Sequence, residues 1–178
     1  MTMRPNLRKF MRTLHVIVTV GWLGAVAGFL ALAIAGLTSQ DAQLARACYL
    51  GMDLITRWVI VPLSLIPLFV TGPILSLGTP WGLFRHYWIV VKLVINILST
   101  LILLIHMKPI QYMARVAADG TLSSADHSAQ VQLVVAAGAG LLALLVATGL
   151  AVYKPRGMTA YGWNKQYAER AESSEGEA

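Results

Sequence analysis

WIVVKLVINILSTLILLIHM, residues 88–107, is an apolar run interrupted only by Lys92, Asn96, Ser99, Thr100 and His106. At ~1.5 Å per residue a helix of this length is about 30 Å long, the thickness of a bilayer's hydrocarbon core. Comparable stretches occur at residues 14–37, 58–77 and 131–152. Joined by short connections, they predict an all-α integral membrane four-helix bundle, up-down-up-down. Helix signals flanking the apolar cores set the expected spans at 12–37, 42–77, 86–117 and 127–153, within one transmembrane domain over 1–157.

Composition agrees. Of 178 residues 57% are hydrophobic and only 12% charged, roughly half the charge of an ordinary soluble domain. The first apolar run exceeds a signal-peptide core, so it is expected to remain as a span. Cys48 is the single cysteine, which rules out an internal disulfide and a thiolate zinc site. The net charge of +6 comes from basic residues gathered at segment ends, which suits anionic lipid headgroups and not nucleic acid. With no phosphate-binding glycine loop or nucleophile elbow, whether the chain is an enzyme stays open.

Arg4, Arg8, Lys9 and Arg12 precede the first span, Arg85 lies between the second and third, and Lys154, Arg156 and Lys165 follow the last. The positive-inside bias therefore puts both termini of a multi-pass protein in the cytoplasm. Residues 158–178 turn polar and end in an acidic run, expected to be a disordered tail. On the outer side, Ser39 and Gln43 suggest that helix two starts near Gln40, and residues 110–118 extend helix three to an Asp119-Gly120 stop, with a kink at Pro109. Ser123 and Ser124 are candidate caps for helix four. Small residues at Gly24, Gly28, Ala31 and Ala35, and at Ala136, Gly140, Ala143 and Ala147, are expected to let these helices pack closely, within one bundle or in a homo-oligomer.

Ionisable groups at membrane depth cost about 2.5–3.5 kcal/mol on insertion, so they normally face a bundle interior or an interface. Lys92, Asn96, Ser99 and His106 fall within ~40° of one another on a regular helix. Asp53, Arg57, Ser64 and Thr71 align similarly on helix two, and His15, Thr19 and Trp22 on helix one. The stripes are expected to converge on a polar or cofactor-lined interior. In the other reading, Lys92 snorkels and Asp53 pairs with Arg57 on the surface.

His15 and His86 lie near the inner ends of their helices, His106 and His127 near the outer ends, two levels about 30 Å apart. Two axial pairs, one per leaflet, would be the arrangement of a di-haem carrier; singly, these histidines are interfacial hydrogen-bonding residues. Cys48, Met52, His106, Met107, Met113 and His127 form a soft-donor group that suits copper(I), although methionine is also an ordinary packing residue.

Leu14-His15 with Trp22 and Gly24 resembles the first helix of copper-resistance inner-membrane proteins of the D type and of the membrane protoporphyrinogen oxidases. Thr71-Gly72, Trp88, Lys92-Leu93 and His106 resemble the second and third helices of the oxidase family. That resemblance implies haem b within the bundle and porphyrinogen oxidation, with His15 and Lys92 at the matched positions; residues 28–36 depart from it, being wholly small or apolar. Residues 76–88, SLGTPWGLFRHYW, and 152–157, VYKPRG, resemble a family of uncharacterised actinobacterial four-span integral membrane proteins, over about residues 7–163, which implies a multi-pass protein of a bacterial inner membrane.

Three functions follow as expectations. The first is a b-type haem electron-transfer protein, with a quinone as potential partner, in which Lys92 and Arg57 neutralise propionates or a quinone oxygen. The second is a copper or small-solute transporter, which four helices permit only as an oligomer. The third is a non-catalytic membrane subunit or scaffold bound to another membrane protein.

Overall fold

The computed structural model describes residues 4–78, 82–155 and 157–175. Four helices are long and apolar enough to cross a membrane: α1 (Pro5–Thr38), α2 (Ala42–Leu77), α3 (Tyr87–Asp119) and α4 (His127–Tyr153). A fifth, α5 (Ala160–Glu175), follows the last span. The chain is an all-α membrane bundle, as its apolar runs require. Arg156, Thr79, Pro80, Trp81 and residues 176–178 lie outside the described residues.

Helix α1 begins with Pro5, whose missing N–H costs nothing in a first turn. Met11, Val18, Trp22, Ala25, Phe29, Ala33 and Gly36 are its buried face, a three-and-four spacing that keeps one stripe inward. His15 falls in the same stripe, between Met11 and Val18. Helix α1 packs against α2 and α4, and α3 closes the bundle by packing against the same two. The core follows this contact, with Trp22, Phe29, Tyr49, Met52, Met113, Leu133 and Leu144 among its members. The outer face of α3 meets lipid, Val91, Val94, Leu98, Leu101 and Ile105 all being exposed.

Helix α2 is not a regular α-helix. It contains π turns at Thr56–Ile60 and Pro67–Thr71. Each turn contains the residue four positions before a proline, Trp58 before Pro62 and Phe69 before Pro73, whose carbonyl a straight helix would drive into the proline ring. A π turn inserts one residue and relieves that clash. In the second, the Gly72 N–H donates to the Pro67 carbonyl, and a Cβ at Gly72 would strike that same oxygen.

The ends of the elements differ in detail from the sequence expectation. Helix α2 is capped by Asp41, whose Oδ1 accepts from the Gln43 N–H at 2.9 Å, so it starts at Ala42, where the expected span 42–77 begins, and not at the Gln40 that Ser39 and Gln43 suggest. Helix α3 runs through Pro109 and stops at Gly120 in the left-handed conformation, φ 69°. The residue at the N-cap position of α4 is Asp126 and not Ser123. Ser124–Asp126 is a 3₁₀ turn, and the Ser123 N–H and hydroxyl donate instead to the Asp126 carboxylate.

The tail departs most from expectation. Its composition offers no core, which is why it reads as disordered, yet helix formation there is local. Thr159 caps α5, its Oγ1 accepting from the Gly162 N–H at 3.1 Å, and Trp163 stacks on Tyr167 one turn later. The Thr159 hydroxyl donates to the Phe84 carbonyl and its N–H to the Arg85 carbonyl, while Met158 pairs with His86. The start of α5 is thereby fastened to the connection between α2 and α3.

Candidate functional site

Two cavities gather the polar residues of the spans. The inner one, about 320 Å³, opens at the end of the bundle where α1 begins and α4 finishes. Helix α1 supplies Arg12 and His15, α2 supplies Pro67 and Ser76, α3 supplies Trp88, Lys92 and Asn96, and the end of α4 supplies Lys154. The His15 Nδ1 is hydrogen-bonded to the Thr71 Oγ1 at 2.7 Å. Thr71 is wholly buried, held there by the π turn that ends on it. The Lys92 ammonium lies 5.7 Å from the centre of the Trp88 ring, within cation–π range. No aspartate or glutamate is among the described residues that line this cavity.

The central cavity is larger, about 600 Å³, and is bounded by all four spans. Trp22, Ile60, Leu103 and Gly140, each near the middle of its helix, form part of its wall, and Ser99, His106, Ser128 and Gln132 are its polar members. The His106 Nδ1 lies 2.8 Å from the Ile102 carbonyl. A carbonyl only accepts, so Nδ1 carries the proton and Nε2 is left as a bare acceptor. Cavity and helix face are linked through residue size. At Gly138 and Gly140 an added Cβ would meet nothing within 4 Å, so these two glycines leave space, whereas Ala137 and Ala147 on the same helix are buried in the bundle. On α1, Gly24 likewise has nothing within 4 Å, and close packing falls at Gly36, where a Cβ would stand 3.0 Å from the Tyr49 ring.

The expected stripes are brought together in part. His15, Thr71, Lys92 and Asn96 meet at the inner cavity, and Trp22, Ser99 and His106 at the central one. Ser64 is buried within the bundle, its hydroxyl donating to the Val61 carbonyl at 2.8 Å. Asp53 and Arg57 do not join them. They form an i,i+4 ion pair at 2.8 Å, with the Arg57 side chain 47% exposed. The cause is the first π turn, which adds a residue between Arg57 and Ser64 and so rotates the phase by about 100°.

The histidine pairs do not form a common site. His15 lines the inner cavity without His86, whose ring lies 6.5 Å from that of Trp88, and His106 lines the central cavity without His127. Of the soft donors, Met52 and Met113 are fully buried in the core and Cys48 is buried beside Gly36; Met107 is half-buried and His127 is exposed. Among the described residues no three His, Cys, Asp or Glu side chains are grouped to hold a metal ion.

Arg12, Trp88 and Lys154 belong to the inner site, although their sequence context shows them only as flanking charge or as an interfacial aromatic. Arg12 lies three residues before His15, a spacing that puts both on one helix face. Ser128 and Gln132 carry no sequence signal beyond polarity at a helix start. No protein-family model, curated protein or solved structure matches the chain.

Proposed function

We propose that this integral membrane protein is a binding protein for an amphipathic molecule with an anionic end, held in the inner cavity. The observation that carries the reading is the gathering of the cations Arg12 and Lys92 with His15, from two spans, around one cavity that no described carboxylate lines. Cations at the margin of a low-dielectric region are costly unless an opposite charge approaches. A carboxylate or phosphate supplies that charge, and the apolar walls at Val16, Leu75, Ile89 and Leu93 suit the remainder of the molecule.

Haem b belongs to this ligand class through its two propionates. His15 suits its iron, because the bond from Nδ1 to Thr71 orients the ring and leaves Nε2 uncommitted. Arg12 and Lys92 suit the propionates, and a bound haem would supply one-electron chemistry. With His86 outside the cavity, His15 is the one imidazole among the described residues that line the inner site.

The test is a spectral titration of the detergent-purified protein with haemin, alongside native mass spectrometry with dioctanoyl phosphatidylglycerol. The expected result is saturable binding of at least one of them, weakened about tenfold or more by Lys92→Gln, a loss equivalent to ~1.4 kcal/mol. A Soret shift lost in His15→Ala selects haem; lipid binding without a Soret shift retains the anionic site and removes haem. Binding of neither overturns the reading.

A further inference from the structure

We infer that the central cavity is a second ligand site, for a neutral lipid-soluble quinone. The inference is independent of what occupies the inner site. Its lining contains no Asp, Glu, Lys or Arg among the described residues, so a phosphate headgroup would enter without a counter-charge, and the complementary occupant is uncharged. It reaches mid-membrane depth at Trp22, Ile60, Leu103 and Gly140 and extends toward the outer end of the bundle at His106, Ser128 and Gln132. Phospholipid ester carbonyls and headgroups lie near the interface, whereas a quinone ring is neutral and soluble in the hydrocarbon.

An acyl chain would need only apolar walls, and this cavity offers more. His106 Nε2 is a bare acceptor, because Nδ1–H is committed to Ile102. Ser99, Ser128 and Gln132 bring hydroxyl and amide donors, and their side chains have no hydrogen-bond partner among the described residues. A quinone's carbonyl oxygens accept from such donors, and a quinol's hydroxyl donates to an imidazole nitrogen. Ile102, Val131, Val135 and Ala139 are exposed at the margin, so the cavity opens between α3 and α4 toward the lipid in which a quinone dissolves. Its volume is also held open by the small residues of α4, since the space beside Gly140 is unfilled.

The test measures thermal unfolding of the full chain in neutral detergent against rising decylubiquinone. A ligand that binds only the folded state raises Tm saturably. Gly140→Leu fills space that is open in the structure, so it is expected to fold and to weaken quinone binding about tenfold or more; His106→Phe keeps ring bulk, removes the acceptor and is expected to weaken it several-fold. Lys92→Gln in the inner cavity should leave quinone binding as it is, which separates this site from the other. No saturable shift, an unchanged response in Gly140→Leu, or a shift from dioctanoyl phosphatidylglycerol that Gly140→Leu weakens equally would overturn the inference.

Discussion

Tyr49 is 1% exposed and its hydroxyl has no hydrogen-bond partner among the described residues. A buried hydroxyl without a partner costs about 1–3 kcal/mol, so removing it is expected to be harmless or favourable. Tyr49→Phe should unfold at the same temperature as the parent or higher, by up to ~1 kcal/mol in stability, and a clear fall in Tm would show that the hydroxyl is satisfied in solution. Asp126 is the opposite case. Its carboxylate accepts from the Ser123 N–H at 3.0 Å and the Tyr112 hydroxyl at 2.9 Å, and these bonds, the backbone one foremost, hold its pKa below the usual carboxylate range. A depressed folded pKa stabilises the protein above the unfolded value of about 3.9 and ceases to do so as pH falls through the lower folded value. Thermal scans should show the parent losing its advantage over Asp126→Asn in that acid window; a constant gap between the two would contradict it. Neither residue stood out in the sequence, because one unpaired oxygen and one well-paired carboxylate look alike until their neighbours are known.

The spans themselves were legible, since length and polarity determine whether a segment crosses a bilayer, and the structure has them at Pro5–Thr38, Ala42–Leu77, Tyr87–Asp119 and His127–Tyr153. The orientation of residues around α2 was not. A fixed 100° step assigns Asp53 and Arg57 to the interior, whereas the two π turns leave Ser64 and Thr71 there and turn the ion pair outward. Pro62, Pro67 and Pro73 were the available signal, because prolines within a span disturb the ladder that the fixed step assumes. The regular α3 shows the contrast: there the expected stripe of Lys92, Asn96, Ser99 and His106 does face the cavities. Gly72→Ala tests the π turn directly. Its Cβ would collide with the Pro67 carbonyl, so about 1–3 kcal/mol of destabilisation is expected, together with loss of the neighbouring Thr71–His15 bond. The measurement is Tm combined with ligand affinity at the inner cavity; an affinity equal to the parent's would uncouple the π turn from the site.

Across the whole molecule, up-down connectivity brings Arg12, Lys92 and Lys154 to one end although they are far apart in sequence. That convergence was predictable from an even number of spans; which side chains share a cavity was not, because it depends on rotations no single helix reveals. The other end is tied by Arg46, whose Nη2 donates to the Ala118 carbonyl at 2.6 Å. At the first end a single threonine is shared between α5 and the α2–α3 connection. Stepwise C-terminal deletions should therefore give a threshold and no gradual decline: truncated chains ending after residue 163 keep inner-site affinity, while one ending at 158 loses it several-fold. A uniform slope in affinity against length would contradict this. Since the same hydroxyl begins one helix and restrains the loop beside Leu83 and Trp88, any tag, cleavage or partner that unwinds the first turn after the last span would be registered at the mouth of the charged vestibule, making the chain's end an input to it.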